Sequence, residues 1–246
     1  MLRGYYSAAS GMLATQRSLN VIGNNITNVQ TPGFQAERAN ITSFDQELVT
    51  RLENGVYTKI GTGSQVTVVD TVTTAPDESS VYETSNPFDL AIVGEGYFNV
   101  QGDGKTFLTR NGCFNIDTEG YLVLDGVGRV QGETGDLYVG GSDFTVDQSG
   151  NVYDAQGNLS GALKITKPAA DAEMVKLDNG YFLADNAEDV ALPTIQQNAY
   201  ERSNVDVNDE YTRLIETQAA FKACATALGI VDAMNAKAAS SLASLT

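Results

Sequence analysis

Proline sets the first boundary on what this chain can fold into. The five prolines, Pro32, Pro76, Pro87, Pro168 and Pro193, leave residues 1–31 and 194–246 free of the strongest helix breaker. Both ends can therefore run as long, uninterrupted helices. Their apolar spacing agrees. In the first segment, steps of three and four pick out Tyr5, Ala8, Met12, Thr15, Leu19, Ile22, Ile26 and Val29, all apolar except Thr15. Arg3, Gln16, Arg17, Asn20, Asn24 and Asn28 fall off that stripe, and Thr31-Pro32-Gly33 closes the segment as a turn. The last segment repeats the pattern through Leu214, Thr217, Phe221, Cys224, Leu228, Val231, Asn235, Ala238, Leu242 and Leu245. Ser203 with Asp206 resembles a capping box, and Asp209 and Glu210 suit the first turns. The stripes predict two coiled-coil helices of about 37 and 60 Å. Packing on the chain's own core is the plain alternative. Narrow seams at opposite ends of the chain point instead to pairing with each other and with neighbouring subunits. Asn20, Asn24, Asn25 and Asn28 form a polar strip beside the first seam, either solvated or bonded through their amides to adjacent helices.

The middle changes period. Phe114 to Leu122 reads strand, Asp/Gly turn, strand; thirty positions later Phe144 to Val152 repeats it, and Val175 to Phe182 is a third relative. Most of the 24 glycines mark such turns. The expected fold class is α+β, a mainly antiparallel β central domain with long N- and C-terminal α-helices pairing as a coiled coil. Its parts are a first helix over 1–35, a connecting arm over 36–79 with a strand-like Gln65-Val66-Thr67-Val68, a β domain over 80–185, and a linker with the last helix over 186–246.

Charge follows the same division. The formal net charge is −16. Residues 1–40 carry three arginines against Glu37, and residues 201–246 carry six acids against four bases, so the two ends cancel and the middle holds the whole excess. Nearly neutral ends can pack beside copies of themselves, and an acidic middle stays soluble. Such a surface suits neither nucleic acid nor an anionic membrane. No run of about 18 consecutive apolar residues is present, so no membrane insertion is expected. The first twenty residues lack the basic start and apolar centre of a cleaved secretory signal.

Catalysis is poorly supported. The chain has no histidine, which removes Ser-His-Asp and Cys-His arrangements and the commonest metal ligand. Cys113 and Cys224 form no zinc pattern or CxxC pair; they read as two free, partly buried thiols, with a disulfide left open. Gly94-Glu95-Gly96 is followed by strand-like Tyr97-Phe98-Asn99-Val100 rather than a helix, so it reads as a tight turn and not a dinucleotide loop. The Asp/Gly turns offer too few carboxylates for calcium. Neither cofactor nor metal is expected, and a carboxylate-based glycoside hydrolase stands only as a weak rival.

Four stretches resemble one family. Leu2-Arg3-Gly4-Tyr5-Tyr6-Ser7-Ala8-Ala9-Ser10-Gly11-Met12, then Asn24-Asn25-Ile26-Thr27-Asn28-Val29 and Thr31-Pro32-Gly33-Phe34, are similar to the N-terminal signature of flagellar rod and hook proteins. Asn86-Pro87-Phe88-Asp89-Leu90-Ala91-Ile92-Val93-Gly94-Glu95-Gly96-Tyr97-Phe98 resembles that family's central box. Thr109-Arg110-Asn111-Gly112-Cys113-Phe114 is similar to its T-R-D-G-x-F motif, with Asn111 in place of the acid. Glu201-Arg202-Ser203-Asn204-Val205-Asp206, leading into Ile215 to Phe221, matches the C-terminal signature, while an expected N-P-x-G-L stretch is missing.

The resemblance implies a structural subunit of the bacterial flagellar basal-body rod. Such a subunit is exported by the flagellar type III apparatus without a cleaved signal peptide. It polymerises into a periplasm-spanning helical tube with other rod and hook subunits and transmits torque. A secreted β-rich adhesin with a helical stalk is the alternative. The expected assembly interface is Tyr5, Met12, Leu19, Ile22, Ile26 and Val29 with Asn24, Asn25 and Asn28 on the first helix, and Leu214, Phe221, Leu228, Val231 and Leu242 on the last.

Overall fold

The computed structural model describes residues 2–44, 47–53, 56–63, 66–74, 79–102, 104–169, 174–177, 180–184, 186–190 and 193–243. Gln65, the turn residues Asp178 and Asn179, and the seam member Leu245 lie outside the described residues. The protein is α+β, with a large antiparallel β region and a helix at each end. It divides into two units, one of residues 1–26, 37–75 and 206–246, the other of residues 27–36 and 76–205.

The first unit holds helix α1, Leu2–Thr27, and helix α2, Val207–Ala243. At 1.5 Å per residue their 26 and 37 residues span about 39 and 56 Å. The N-cap of α2 differs from the expected capping box. Asp206, not Ser203, accepts from the Asn208 amide at 2.8 Å, and the Ser203 hydroxyl accepts from Val205 before the helix starts. Asp206 immediately precedes the first helical residue, where a side-chain oxygen best meets the orphan amides. Between the helices in sequence, Glu37–Phe44 pairs antiparallel with Val66–Thr74, and Glu47–Glu53 pairs with Val56–Gly63. This two-stranded ribbon occupies the span expected to be an arm. β-Branched residues such as Ile41, Val69 and Val72 favour the pleat.

The second unit is built on a sheet whose strands run in the order Met174–Lys176, Phe182–Ala184, Lys105–Thr109, Tyr97–Gly102, Gly128–Gly132, Leu122–Leu124 and Asn115–Ile116. Its core is Leu90, Ile92, Phe98, Val100, Phe114, Leu122, Val130, Val152, Ile165 and neighbours, with Phe98 and Phe114 edge-to-face at 5.0 Å. Strand structure does not stop at residue 185. Ala187–Asp189, Thr194–Gln197 and Ala199–Glu201 pair with Ile165–Pro168, Leu90–Val93 and Val81–Glu83. Burial of Ile195 and Ala199 anchors the last two of these. Gly94-Glu95-Gly96 is the turn between Leu90–Val93 and Tyr97–Gly102.

The repeated Asp/Gly motif builds one turn several times. Asp117 Oδ1 accepts from the amides of Glu119 and Tyr121, and Asp147 Oδ1 from those of Ser149 and Asn151. The glycine three residues after each aspartate, Gly120 or Gly150, has φ of 92° or 86°. Asp154 and Gly157 make another copy, with Gln156 and Asn158 as donors. These bonds hold the three carboxyls below the ordinary aspartate range. The leading cause is the Tyr121 amide for Asp117, the Asn151 side chain for Asp147 and the Asn158 amide for Asp154.

A carboxyl depressed by folding adds stability above its unfolded value, near 4, and that stability is lost as pH falls through the lower folded value. We therefore expect the melting temperature to be level above about pH 5 and to fall below about pH 4. A triple Asp→Asn variant at 117, 147 and 154 should start lower at neutral pH and fall less steeply. Parallel curves for the two proteins would show that these turns are not sensing the acid.

Candidate assembly surface

Every described position of α2 that is not exposed lies on one stripe: Val207, Glu210, Leu214, Thr217, Phe221, Cys224, Leu228, Val231, Asn235 and Ala238. The steps alternate strictly between three and four, as a heptad seam requires. Off the stripe, Tyr211, Ile215, Ile230 and Met234 are exposed large apolar residues. Leu242 lies in the last turn of the helix.

On α1 burial is centred one residue away from the apolar stripe. Ala14, Ser18, Ile22 and Asn25 are buried, whereas Met12, Leu19 and Ile26 are half-buried and Tyr5, Tyr6 and Leu13 are exposed. The cause is close approach. A Cβ on Gly11 would stand 3.2 Å from Cys224 Sγ, and one on Gly4 would stand 3.7 Å from Val231 Cγ2. Seven residues forward on α1 correspond to seven back on α2, so the two helices run antiparallel. Small side chains on the facing side of α1 permit that contact, and the larger apolar ones flank it. Continuing the step brings Ser18 level with Thr217 and Asn25 level with Glu210.

Asn25 and Glu210 are both 0% exposed. Asn25 donates from Nδ2 to the Glu37 carbonyl and accepts from the Glu37 amide, each at 2.9 Å, so its amide is used within the chain. Arg38 then pairs with Glu210 and lies 3.7 Å from Asp209. Asn24, Asn28 and Val29 are half-buried, and Asn28 and Val29 fall in the turn after α1.

In the β unit, the remaining sequence motifs meet. The Gly33 amide donates to the Glu201 carbonyl at 2.7 Å, and a Cβ on Gly33 would stand 2.2 Å from the Arg110 carbonyl carbon. Arg110 forms a buried pair with Glu201 at 3.0 Å and covers the Tyr97 ring. Asn204 Oδ1 accepts from the Ala36 amide, and Lys176 donates to the Gln35 carbonyl from above the Phe34 ring. Asp89 accepts from Asn86 Nδ2 and the Thr84 hydroxyl. Asn111 Oδ1 accepts from the Cys113 amide, a role a carboxylate oxygen would fill equally. Cys113 and Cys224 are free. Burial, then the Asp89 charge, pushes the Cys113 thiol up to about 11.

Three family models match along the chain. They are Flagella basal body rod protein over residues 6–35, Flagellar hook protein FlgE/F/G D1 domain over 91–153, and Flagellar basal body rod FlgEFG protein C-terminal over 196–242. Flagellar basal-body rod protein FlgG of Agrobacterium fabrum is 31% identical over 95% of this chain and 97% of its own length. The chain belongs to the flagellar basal-body rod family. FlgG of Bacillus subtilis is 32% identical over 90% of this chain and 92% of its own. Flagellar basal-body rod protein FlgF of Caulobacter vibrioides is 32% identical over 89% of each.

Membership makes this rod-family chain a structural subunit of the flagellar basal body rather than an enzyme. It also divides the motifs by task. Those outside the helices, around Gly33, Asp89, Arg110 and Glu201, interlock the β unit.

By length and by the mean hydropathy of its most apolar stretch alone, Val207–Ser241 is apolar enough to cross a membrane, although it holds no long unbroken apolar run. Ala219, Ala220, Ala223, Ala225 and Ala227 raise the mean without making such a run.

Proposed function

We propose that this subunit polymerises into a helical tube within the basal body, with α1 and α2 paired as a coiled coil and their outer faces joining neighbouring copies. The observation that carries the reading is the seam of α2. One 3-4 stripe is covered by the chain itself, while Tyr211, Ile215, Ile230 and Met234 stay exposed on the same helix. Tyr5, Tyr6 and Leu13 add to that uncovered surface on α1. Apolar groups of this size left in water favour association at about 25 cal/mol per Å². Charges on Arg213, Glu216, Lys222, Asp232 and Lys237 interrupt α2, which suits a protein neighbour better than a bilayer.

The subunit then serves mechanically. A layer of paired helices carries torque. Other rod and hook subunits are its partners, the flagellar type III apparatus is its export route, and the assembled tube spans the periplasm.

Electron microscopy of purified full-length protein at rising concentration tests the reading. Helical tubes are expected. Discrete trimers at every concentration would overturn it in favour of an adhesin-like stalk, and so would a stable monomer.

A further inference from the structure

The junction at the base of the helices holds a feature that helix pairing does not explain. Glu210, in the first turn of α2, is 0% exposed, yet only one of its carboxylate oxygens is bonded, to Arg38. The other, Oε2, is buried without a hydrogen-bond partner among the described residues. Arg38 lies 172 residues away in sequence, in the strand Glu37–Phe44, and the residue before it is clamped through both backbone groups by Asn25 of α1. Three distant segments therefore meet around one buried charge: the last turn of α1, the first residues of the ribbon and the first turn of α2. Hydrophobic packing alone would not need a carboxylate there, and a buried ion pair adds little net stability over an apolar replacement. What such a pair does enforce is alignment, because Glu210 left alone is a buried unpaired charge, whereas Arg38 is partly exposed and also lies 3.7 Å from Asp209.

We propose that Arg38 and Glu210 are positioning residues forming a latch that fixes α2 against the ribbon only when the α1 end is also seated. The latch sets the heptad register in which Gly11 meets Cys224. A shift of α2 by one turn would withdraw Glu210 from Arg38 and bring bulkier neighbours against Gly4 and Gly11. The inference rests on the assembly reading, since a fixed register is what lets copies present the same outer face.

The test is a double-mutant series in the full-length protein: Arg38→Met, Glu210→Met and both together. Amide exchange across residues 207–214 and the melting of the β unit are followed in each. In the wild type, residues 207–214 should be protected. Arg38→Met strands a buried carboxylate and should speed exchange there about 100-fold. The double variant, with no charge to strand, should recover protection to within about tenfold of wild type. The β-unit transition should not move.

Equal protection in wild type and Arg38→Met would overturn the latch, as would a double variant no better than the single. A merely structural contact would give additive losses rather than rescue. Tube formation is scored separately. A protein that keeps this exchange pattern but never polymerises would count against the assembly reading and leave the latch standing.

Discussion

Leu228→Asp should abolish swimming and tube formation while leaving the β unit folded. Leu228 sits mid-seam on α2, half-buried, between Cys224 and Val231. Full burial of a leucine is worth roughly 1.5–3 kcal/mol, and part of that is at stake here. A carboxylate placed in the same seam adds several kcal/mol when it finds no cation. In a tube the defect recurs in every subunit, so even the lower sum suffices. The β unit, residues 27–36 and 76–205, contains no part of this seam, and its melting should stay within about 2 °C of wild type.

Leu19→Asp should act in the same direction, less strongly. Leu19 is on the apolar stripe of α1 but flanks its buried face, whose centre Ser18 occupies. Asp125→Ala is the contrasting case. Its carboxylate accepts one exposed hydrogen bond from Asn115, so the change should alter neither motility nor melting measurably. Normal swimming by Leu228→Asp cells, or collapse of the β unit in that variant, would remove the helices from the assembly interface.

The difference between the two helices shows what periodicity can and cannot reveal. On α2 the stripe through Leu214, Phe221, Leu228 and Val231 coincides with the observed burial because large residues do the packing there. On α1 the buried face is set by how close a second backbone can come. Gly4, Gly11, Ala14 and Ser18 carry that information in their smallness, which an apolar count ignores.

The turns at Asp117 and Asp147 were legible because local side-chain-to-backbone bonds need only four or five neighbouring residues. Asp154-Ala155-Gln156-Gly157 has the same spacing and was readable on the same grounds. The short strands after residue 185 were not, since three or four residues carry no periodicity and depend on distant partners such as Leu90–Val93. Arg38 and Glu210 were still further out of reach. Nothing local to either residue announces a pair 172 positions apart. Asn25 stood out in the sequence as part of an amide strip, but its partner proved to be the backbone of Glu37 rather than a neighbouring helix.

Gly112→Ala should be among the most damaging single methyls that can be added at the described glycines. Gly112 follows Arg110-Asn111, and its carbonyl accepts from the amides of Leu90 and Phe114 at 3.0 and 3.1 Å. A Cβ there would lie 1.6 Å from the Leu90 carbonyl oxygen and 2.8 Å from its carbon. The obstacle is backbone and not a side chain that can turn aside. Leu90 is itself fully buried in the core, and its strand Leu90–Val93 is paired with Thr194–Gln197. Relief would require moving that strand and breaking the very bond Gly112 accepts. Overpacking against movable side chains costs about 1–3 kcal/mol, so a clash with paired backbone should cost more than about 3. For a domain of this size that lowers the melting temperature by about 10 °C or more. It also consumes a large share of the 5–15 kcal/mol that typically separates folded from unfolded.

Gly23→Ala is the matched control. A Cβ on Gly23 meets no atom within 4 Å outside its own helix, and alanine favours a helix interior by about 0.8–1 kcal/mol over glycine. The same methyl should therefore leave melting level or slightly raised, and swimming normal. If Gly112→Ala melts with the wild type, the glycine of this motif is not required by the close approach of Leu90, and the interlock of the central motifs does not hold the β unit together.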